Sequence, residues 1–473
     1  MLLKRIYDEQ LAQASYLVAC EEARVALIVD PLRDASRYLA AAAEEKVTIT
    51  DVTETHIHAD FVSGARDLAR ETGARLHLSG MGGDDWGYSG LDSDVDLLRD
   101  GSTFTVGSVR IDVTHTPGHT PEHLTFLLTD TSAANVPIGA LTGDFIFVGD
   151  VGRPDLLERA AGVTGTKESS ARDLFRSLQR FKTLPDYLQL WPGHGAGSAC
   201  GKALGAMPQS TLGYERLFNW GLAERDEEEF VREVLSGQPD PPAYFAVMKR
   251  INQDGPPVVV REPPRRISAR DVAAKLAESE PVIDTRPVAE FAERHAVASI
   301  NIPDSKAFLK WAGALLPYDR DIFLIVPDGD QQSIIEKLSL IGLDRIGGVY
   351  GLRSLAELES AGVQMRETPQ VSIGALARRQ KNGQVILDVR APDEWEHGHI
   401  PGALHIPLGS LQSRLAEVPQ GADIAVHCQG GTRSAIAASI LQKNGFSVSN
   451  IGGGFGEWER SGPTVEVGQT PTR

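Results

Sequence analysis

The chain has 473 residues, enough for about three domains of ordinary size. Hydrophobic residues make up 41% and charged residues 23%, a globular composition that excludes wholesale disorder. With 47 Lys and Arg against 64 Asp and Glu, the net charge is −17 and no basic block stands out, which argues against nucleic acid or an anionic membrane as partner. Cys20, Cys200 and Cys428 are too few for a disulfide framework and fit a reducing compartment. The first ten residues lack a signal-peptide core, and no apolar run approaches the roughly 18–20 residues of a membrane helix. A cytoplasmic protein is expected.

Residues 25–30 read as a buried strand ending in an acid, and 34–44 as an Ala-rich helix. A strand over 47–55 places His56 to Asp60 at its end or just beyond, and 61–72 reads as a helix. Segments 103–114 and 124–129 alternate as strands do. Seven of the twelve histidines precede residue 200, where strands give way to loops.

Two Pro-Pro pairs in 254–266 predict a semi-rigid linker. Beyond it the chain repeats itself at an offset of 104 residues. Asp284, Arg286, Glu290, His295 and Pro303 recur as Asp388, Arg390, Glu394, His399 and Pro407. The expected organisation is residues 1–253, a linker over 254–266, and two tandem α/β domains over 267–366 and 367–473.

The first domain carries Thr55-His56-Ile57-His58-Ala59-Asp60-Phe61, Thr116-Pro117-Gly118-His119-Thr120, Thr142-Gly143-Asp144 and Pro192-Gly193-His194-Gly195. Four motifs in this order resemble the metallo-β-lactamase superfamily over roughly 1–250, which implies an αββα sandwich. Hydrolases of the glyoxalase II type have a His after the Asp and hold two metals; here that place is Phe61, whose ring cannot ligate. The form this sequence resembles is the persulfide dioxygenase, with one Fe(II) per chain on His56, His119 and Asp144. Two imidazoles and a carboxylate on one face of iron leave three positions for a persulfide sulfur and dioxygen. The resemblance makes His58, Asp60 and His194 supporting groups near the iron. It sets Arg153 beside a carboxylate-bearing thiol such as glutathione, coenzyme A or bacillithiol, although a structural ion pair is the other reading. Cys200 is either filler or a thiol lining the site, and Asp150 either a supporting acid or a turn former. His115 and His123 read as packing or solvent residues, and Cys20 as structural.

In the last domain Cys428-Gln429-Gly430-Gly431-Thr432-Arg433 joins a strand to an Ala-rich helix. Backbone N–H groups at a helix start, with Arg433 beside them, favour a thiolate and cradle a persulfide anion. With Asp388-Val389-Arg390 and His399-Ile400-Pro401-Gly402-Ala403, residues 372–465 resemble a rhodanese, and the six-residue loop favours sulfur over phosphate. The first copy has Val326-Pro327-Asp328-Gly329-Asp330 in the corresponding place, without thiol or Arg, and reads as an inactive homologue. It would be a spacer, a dimerisation surface or a docking wall. The function expected is oxidation of a thiol persulfide by O2 to sulfite, coupled to sulfur transfer that makes or uses thiosulfate. The alternative is a zinc-dependent thioester hydrolase with an appended rhodanese. A homo-oligomer is expected from the family.

Overall fold

The structure is a computed structural model. It describes the chain apart from residues 84, 157, 159–164, 203, 224, 239–240, 243, 258–263, 381–383, 462–464 and 469–473. Two compact units emerge: Met1–Val260 with Ser339–Gly342, and Arg261–Leu338 with Leu343–Arg473. Of the expected linker over 254–266, residues 258–263 lie outside the described residues.

The first unit is a four-layer sandwich. One six-stranded sheet runs in the order Leu2–Asp8, Gln13–Cys20, Val25–Val29, Thr48–Thr53, Arg75–Ser79, Asp96–Leu98. The other runs Ser210–Thr211, Gln189–Pro192, Gly139–Gly143, Leu124–Asp130, Val109–His115, Thr103–Val106. The strand Gln13–Cys20 is buried at every position because both its faces are covered. Alternation decides which neighbour each side chain meets. Tyr16, Val18 and Cys20 enter the core shared with Ile111 and Phe126 of the second sheet. Leu17 and Ala19 face the helices Ala35–Glu45 and Ala65–Thr72, against Tyr38 and Leu68. The outer face of the second sheet is covered by helices Lys167–Phe181 and Glu227–Leu235, through Leu174, Leu178, Phe230 and Val234. The segment 103–114 is an antiparallel hairpin turning at Gly107, and the expected helix over 61–72 begins only at Ala65.

The second unit holds two parallel sheets of matching order. One is Ile300–Asn301, Val282–Asp284, Ile322–Pro327, Ile346–Leu352. The other is Leu404–His405, Val385–Asp388, Asp423–His427, Ser447–Ile451, with Gln370–Val371 added at the edge. Repeated residues make repeated contacts. Arg286 and Arg390 each close on the Asp two residues earlier through Nε and one terminal nitrogen. His295 stacks on Phe291 and His399 on Trp395, with ring centroids 3.9 and 3.6 Å apart. Among the described residues no helix is long and apolar enough to cross a membrane.

Candidate metal centre and thiol loop

His56, His119 and Asp144 come from three separate loops, and all are buried. Asp144 Oδ2 lies 3.4 Å from His119 Nε2 and 3.9 Å from His56 Nε2. Atoms about 2.1 Å from a common ion are at most about 4.2 Å apart, so this spacing suits a shared cation. Neither Asp144 oxygen has a hydrogen-bond partner, although the residue is fully buried, and burial pushes its carboxyl up. A buried carboxyl in that state is suited to completion by a metal ion. Burial, followed by the neighbouring imidazoles, pushes His56 well below its ordinary range and His119 to about 3, so both rings are neutral and able to ligate.

Each ring is oriented by the nitrogen that faces away from the centre. Asp30 accepts from the Thr55 N–H at 2.6 Å and the Thr55 hydroxyl at 3.0 Å. That leaves Thr55 Oγ1 to accept from His56 Nδ1 at 2.9 Å. His119 Nδ1 donates to the Arg153 carbonyl at 3.1 Å. Gly193 is needed beside Asp144, because a Cβ there would stand 2.8 Å from Asp144 Oδ1.

His58 lies outside the triad and pairs with Asp30 at 3.1 Å. Burial opposes its protonation, but the Asp30 carboxylate prevails and lifts it to about 9. Phe61 is turned onto His58, ring centroids 4.3 Å apart, and its carbonyl is held with that of His58 by the Asn252 amide, each at 2.7 Å. Asp60, His194 and Cys200 converge on the other side of Asp144. Burial and the carboxylates of Asp60 and Asp144 push the Cys200 thiol well above its usual range.

Of the two readings the sequence leaves open for Arg153, substrate contact or structural ion pair, the structure shows an ion pair. Its guanidinium is completely buried, forks onto Asp155 at 3.0 and 2.8 Å, and reaches the Ala199 carbonyl at 3.2 Å. A guanidinium saturated in this way fixes the Cys200 segment rather than facing an open cleft. Asp150 also anchors, accepting from Trp220 Nε1 at 2.8 Å and from Lys202 N at 2.7 Å. His123, which reads from the sequence as a packing or solvent residue, is buried and accepts the Asp144 N–H. Asp30 and Asn252 lie outside the quoted motifs, and only the acid ending an apolar run at 25–30 hinted at the first.

In the second unit Cys428 follows the strand Asp423–His427 and precedes the helix Thr432–Lys443. Gly431, at φ 105°, turns its N–H to Cys428 Sγ at 3.1 Å; that backbone angle favours glycine. Ser434 Oγ is 3.5 Å from the sulfur. The Gly452-Gly453-Gly454 turn sits against the loop, a Cβ on Gly454 falling 2.2 Å from the Cys428 carbonyl, with Phe455 N donating to that carbonyl at 2.7 Å. Gln429 turns its side chain to Arg390, 3.4 Å away. Gly430 and Thr432 complete the loop, and Arg433 forks onto Glu394, one arm at 2.7 Å. In the first copy Asp328 fills the corresponding place, accepting from Gln331 and from Arg353, both at 2.9 Å.

The metallo-beta-lactamase superfamily profile matches residues 9–194, and that of the rhodanese-like domain matches 372–461. A metallo-beta-lactamase of solved structure from Staphylococcus aureus is 42% identical, with a TM-score of 0.66, covering 74% of this chain and 98% of that one. The persulfide dioxygenase ETHE1 of Homo sapiens is 29% identical over 41% of this chain and 68% of its own. A beta-lactamase hydrolase-like protein of Xylella fastidiosa is 28% identical over 48% of this chain, which spans 53% of that relative. The chain belongs to the metallo-beta-lactamase superfamily, as a fusion of that fold with a C-terminal rhodanese-like domain.

Proposed function

We propose that the first unit is a persulfide dioxygenase with one Fe(II) per chain on His56, His119 and Asp144, and that Cys428 transfers sulfane sulfur. The reaction is RSSH + O2 + H2O giving RSH, sulfite and two protons. The observation that carries the reading is the buried Asp144, both oxygens unpartnered, converging with two neutral imidazoles while Phe61 stands where the hydrolases have a ligating His. Bound there, Fe(II) supplies one-electron chemistry toward dioxygen at the positions the three side chains leave open. The chain's own residues hold that geometry. Asp30, through Thr55, fixes His56; the Arg153 carbonyl fixes His119; His123 fixes Asp144. The similarity to a human persulfide dioxygenase supports the same substrate class, a low-molecular-weight thiol persulfide of the glutathione, coenzyme A or bacillithiol type.

At the other site the Gly431 N–H supports the charge of a Cys428 thiolate or persulfide. Thiosulfate would be cleaved at its S–S bond to leave sulfite and a Cys428 persulfide, or formed by the reverse transfer to sulfite. The domain over 267–366 is an inactive rhodanese homologue in this reading. The matching strand order and the twin Asp–Arg forks support that, with Asp328 in place of a thiol.

Metal analysis of anaerobically purified protein, with oxygen uptake on adding glutathione persulfide, tests the proposal. About one iron per chain, with uptake and sulfite release, is the expected result. A zinc-loaded protein that takes up no oxygen and cleaves thioesters would replace it with the hydrolase reading.

A further inference from the structure

The first copy of the repeat lacks a thiol, yet it packs on the elements that carry one. Its strand Ile300–Asn301 lies against the helix Thr432–Lys443, where the buried Asn301 N–H donates to Ser439 Oγ at 3.0 Å. Its helix Phe308–Leu315 packs on the turn Leu408–Ser410 of the last domain. Phe308, Leu309, Ala312 and Leu315 form the buried face of that helix, at helical spacing, and Lys310 stands off it, exposed. From there its ammonium meets the charges around the thiol loop. The protein packed about it, and then the charge of Arg433, lower Lys310 from its ordinary range, whereas Glu394 and Asp393 act the other way. Such interactions reach only short distances at a protein surface.

Sulfur transfer from thiosulfate gathers negative charge at Cys428. The thiolate attacks the outer sulfur, the S–S bond of thiosulfate breaks, and sulfite leaves with the bonding pair. Three negative charges meet, and they end on sulfite and the Cys428 persulfide. The arginines nearest the loop are already committed, Arg433 to Glu394 and Arg390 to Asp388. Lys310 has neighbours of both signs but, among the described residues, no ion-pair partner. We propose that Lys310, supplied by the copy without a thiol, is a specificity-determining residue of the Cys428 site. It binds the sulfonate end of thiosulfate, or sulfite in the reverse transfer, and selects doubly charged sulfur oxyanions over uncharged acceptors. This role rests on Cys428 being the sulfur carrier, and it gives the first copy a part in the site of the second.

The test assays the full-length protein for sulfur transfer from thiosulfate to cyanide, which is largely uncharged HCN near neutral pH. KM and kcat are measured for each substrate over a range of salt. Lys310→Ala should raise the KM for thiosulfate about tenfold, while kcat and the KM for cyanide stay within about twofold of wild type. It should also lose part of the salt dependence that wild type shows toward thiosulfate. Lys310→Arg should keep a KM near that of wild type, and Lys310→Glu should raise it beyond the alanine variant. A thiosulfate KM in Lys310→Ala within about twofold of wild type would overturn the assignment and leave Cys428 as the carrier. Equal rises in both KM values with a lower melting temperature would also overturn it, since a structural effect does not distinguish charge. A folded wild type that takes no sulfur from thiosulfate would overturn the sulfurtransferase reading, and the role of Lys310 with it.

Discussion

His123 accepts the backbone N–H of Asp144 on Nε2 at 3.1 Å and donates from Nδ1 to Thr116 Oγ1 at 2.9 Å. Burial pushes this imidazole well below its usual range, so it stays neutral and keeps Nε2 as an acceptor. His123 therefore aims the Asp144 carboxylate of the candidate triad. His123→Ala should weaken metal binding by about 10–100-fold, the usual cost of losing a group that orients a ligand. His123→Gln, whose amide oxygen can accept the same N–H, should recover part of that loss. Chelator competition measures both, and unchanged affinity in the alanine variant would remove the positioning role.

The two chemistries should separate by mutation. His119→Ala removes one of three candidate ligands, so metal content and oxygen uptake should both be lost. Cys428→Ser should leave persulfide-dependent sulfite formation intact and abolish transfer to or from thiosulfate. Oxygen uptake that survives the first change would refute the ligand assignment. Loss of sulfite formation in the second, with the fold intact by circular dichroism, would mean that the thiol loop serves the oxidation as well.

Arg153 should behave as a structural residue. Arg153→Met leaves Asp155 buried, 3% exposed, without its forked partner. Removing one member of a buried pair costs about 3–5 kcal/mol. The melting temperature of the first unit should therefore fall by several degrees. The KM for the persulfide should change less than kcat, because the guanidinium is held on Asp155 and the Ala199 carbonyl. A large rise in KM at unchanged stability would restore the contact read from the sequence.

The residues of the candidate metal triad were legible as a group because each sits in a short local pattern near the end of a strand. His56, His119 and Asp144 follow the strands Thr48–Thr53, Val109–His115 and Gly139–Gly143, and their short motifs survive in one dimension. The supporting residues were not legible, because their partners lie far along the chain. Asp30 is 25 residues from Thr55, and Asn252 is 194 residues from His58. Arg153 was left between a substrate contact and a structural ion pair for a related reason. Its partner Asp155 is only two residues away, but whether a guanidinium turns inward to such a partner or outward to a ligand is decided by packing. The internal repeat was legible because equal offsets require no knowledge of the fold. Asn301 and His405 occupy equivalent places and make the same kind of bond, to the carbonyls of Arg286 and Arg390.

That equivalence makes the acid sensitivity of the second unit testable. Burial lowers the affinity of His295, His405 and His427 for protons in the folded chain. The unfolded chain titrates these groups near pH 6.5, so below that value it binds more protons than the folded state does. Their contribution is therefore fully present above about pH 6.5 and is lost as pH falls toward the depressed folded values. The melting temperature of the second unit should drop between about pH 6.5 and 5. His405→Asn, which borrows the residue of the first copy, keeps a donor for the Arg390 carbonyl and removes one of the titrating groups. It should melt close to wild type at pH 7.5 and lose less stability on acidification. A parallel pH profile for variant and wild type would show that His405 is not one of the groups responsible.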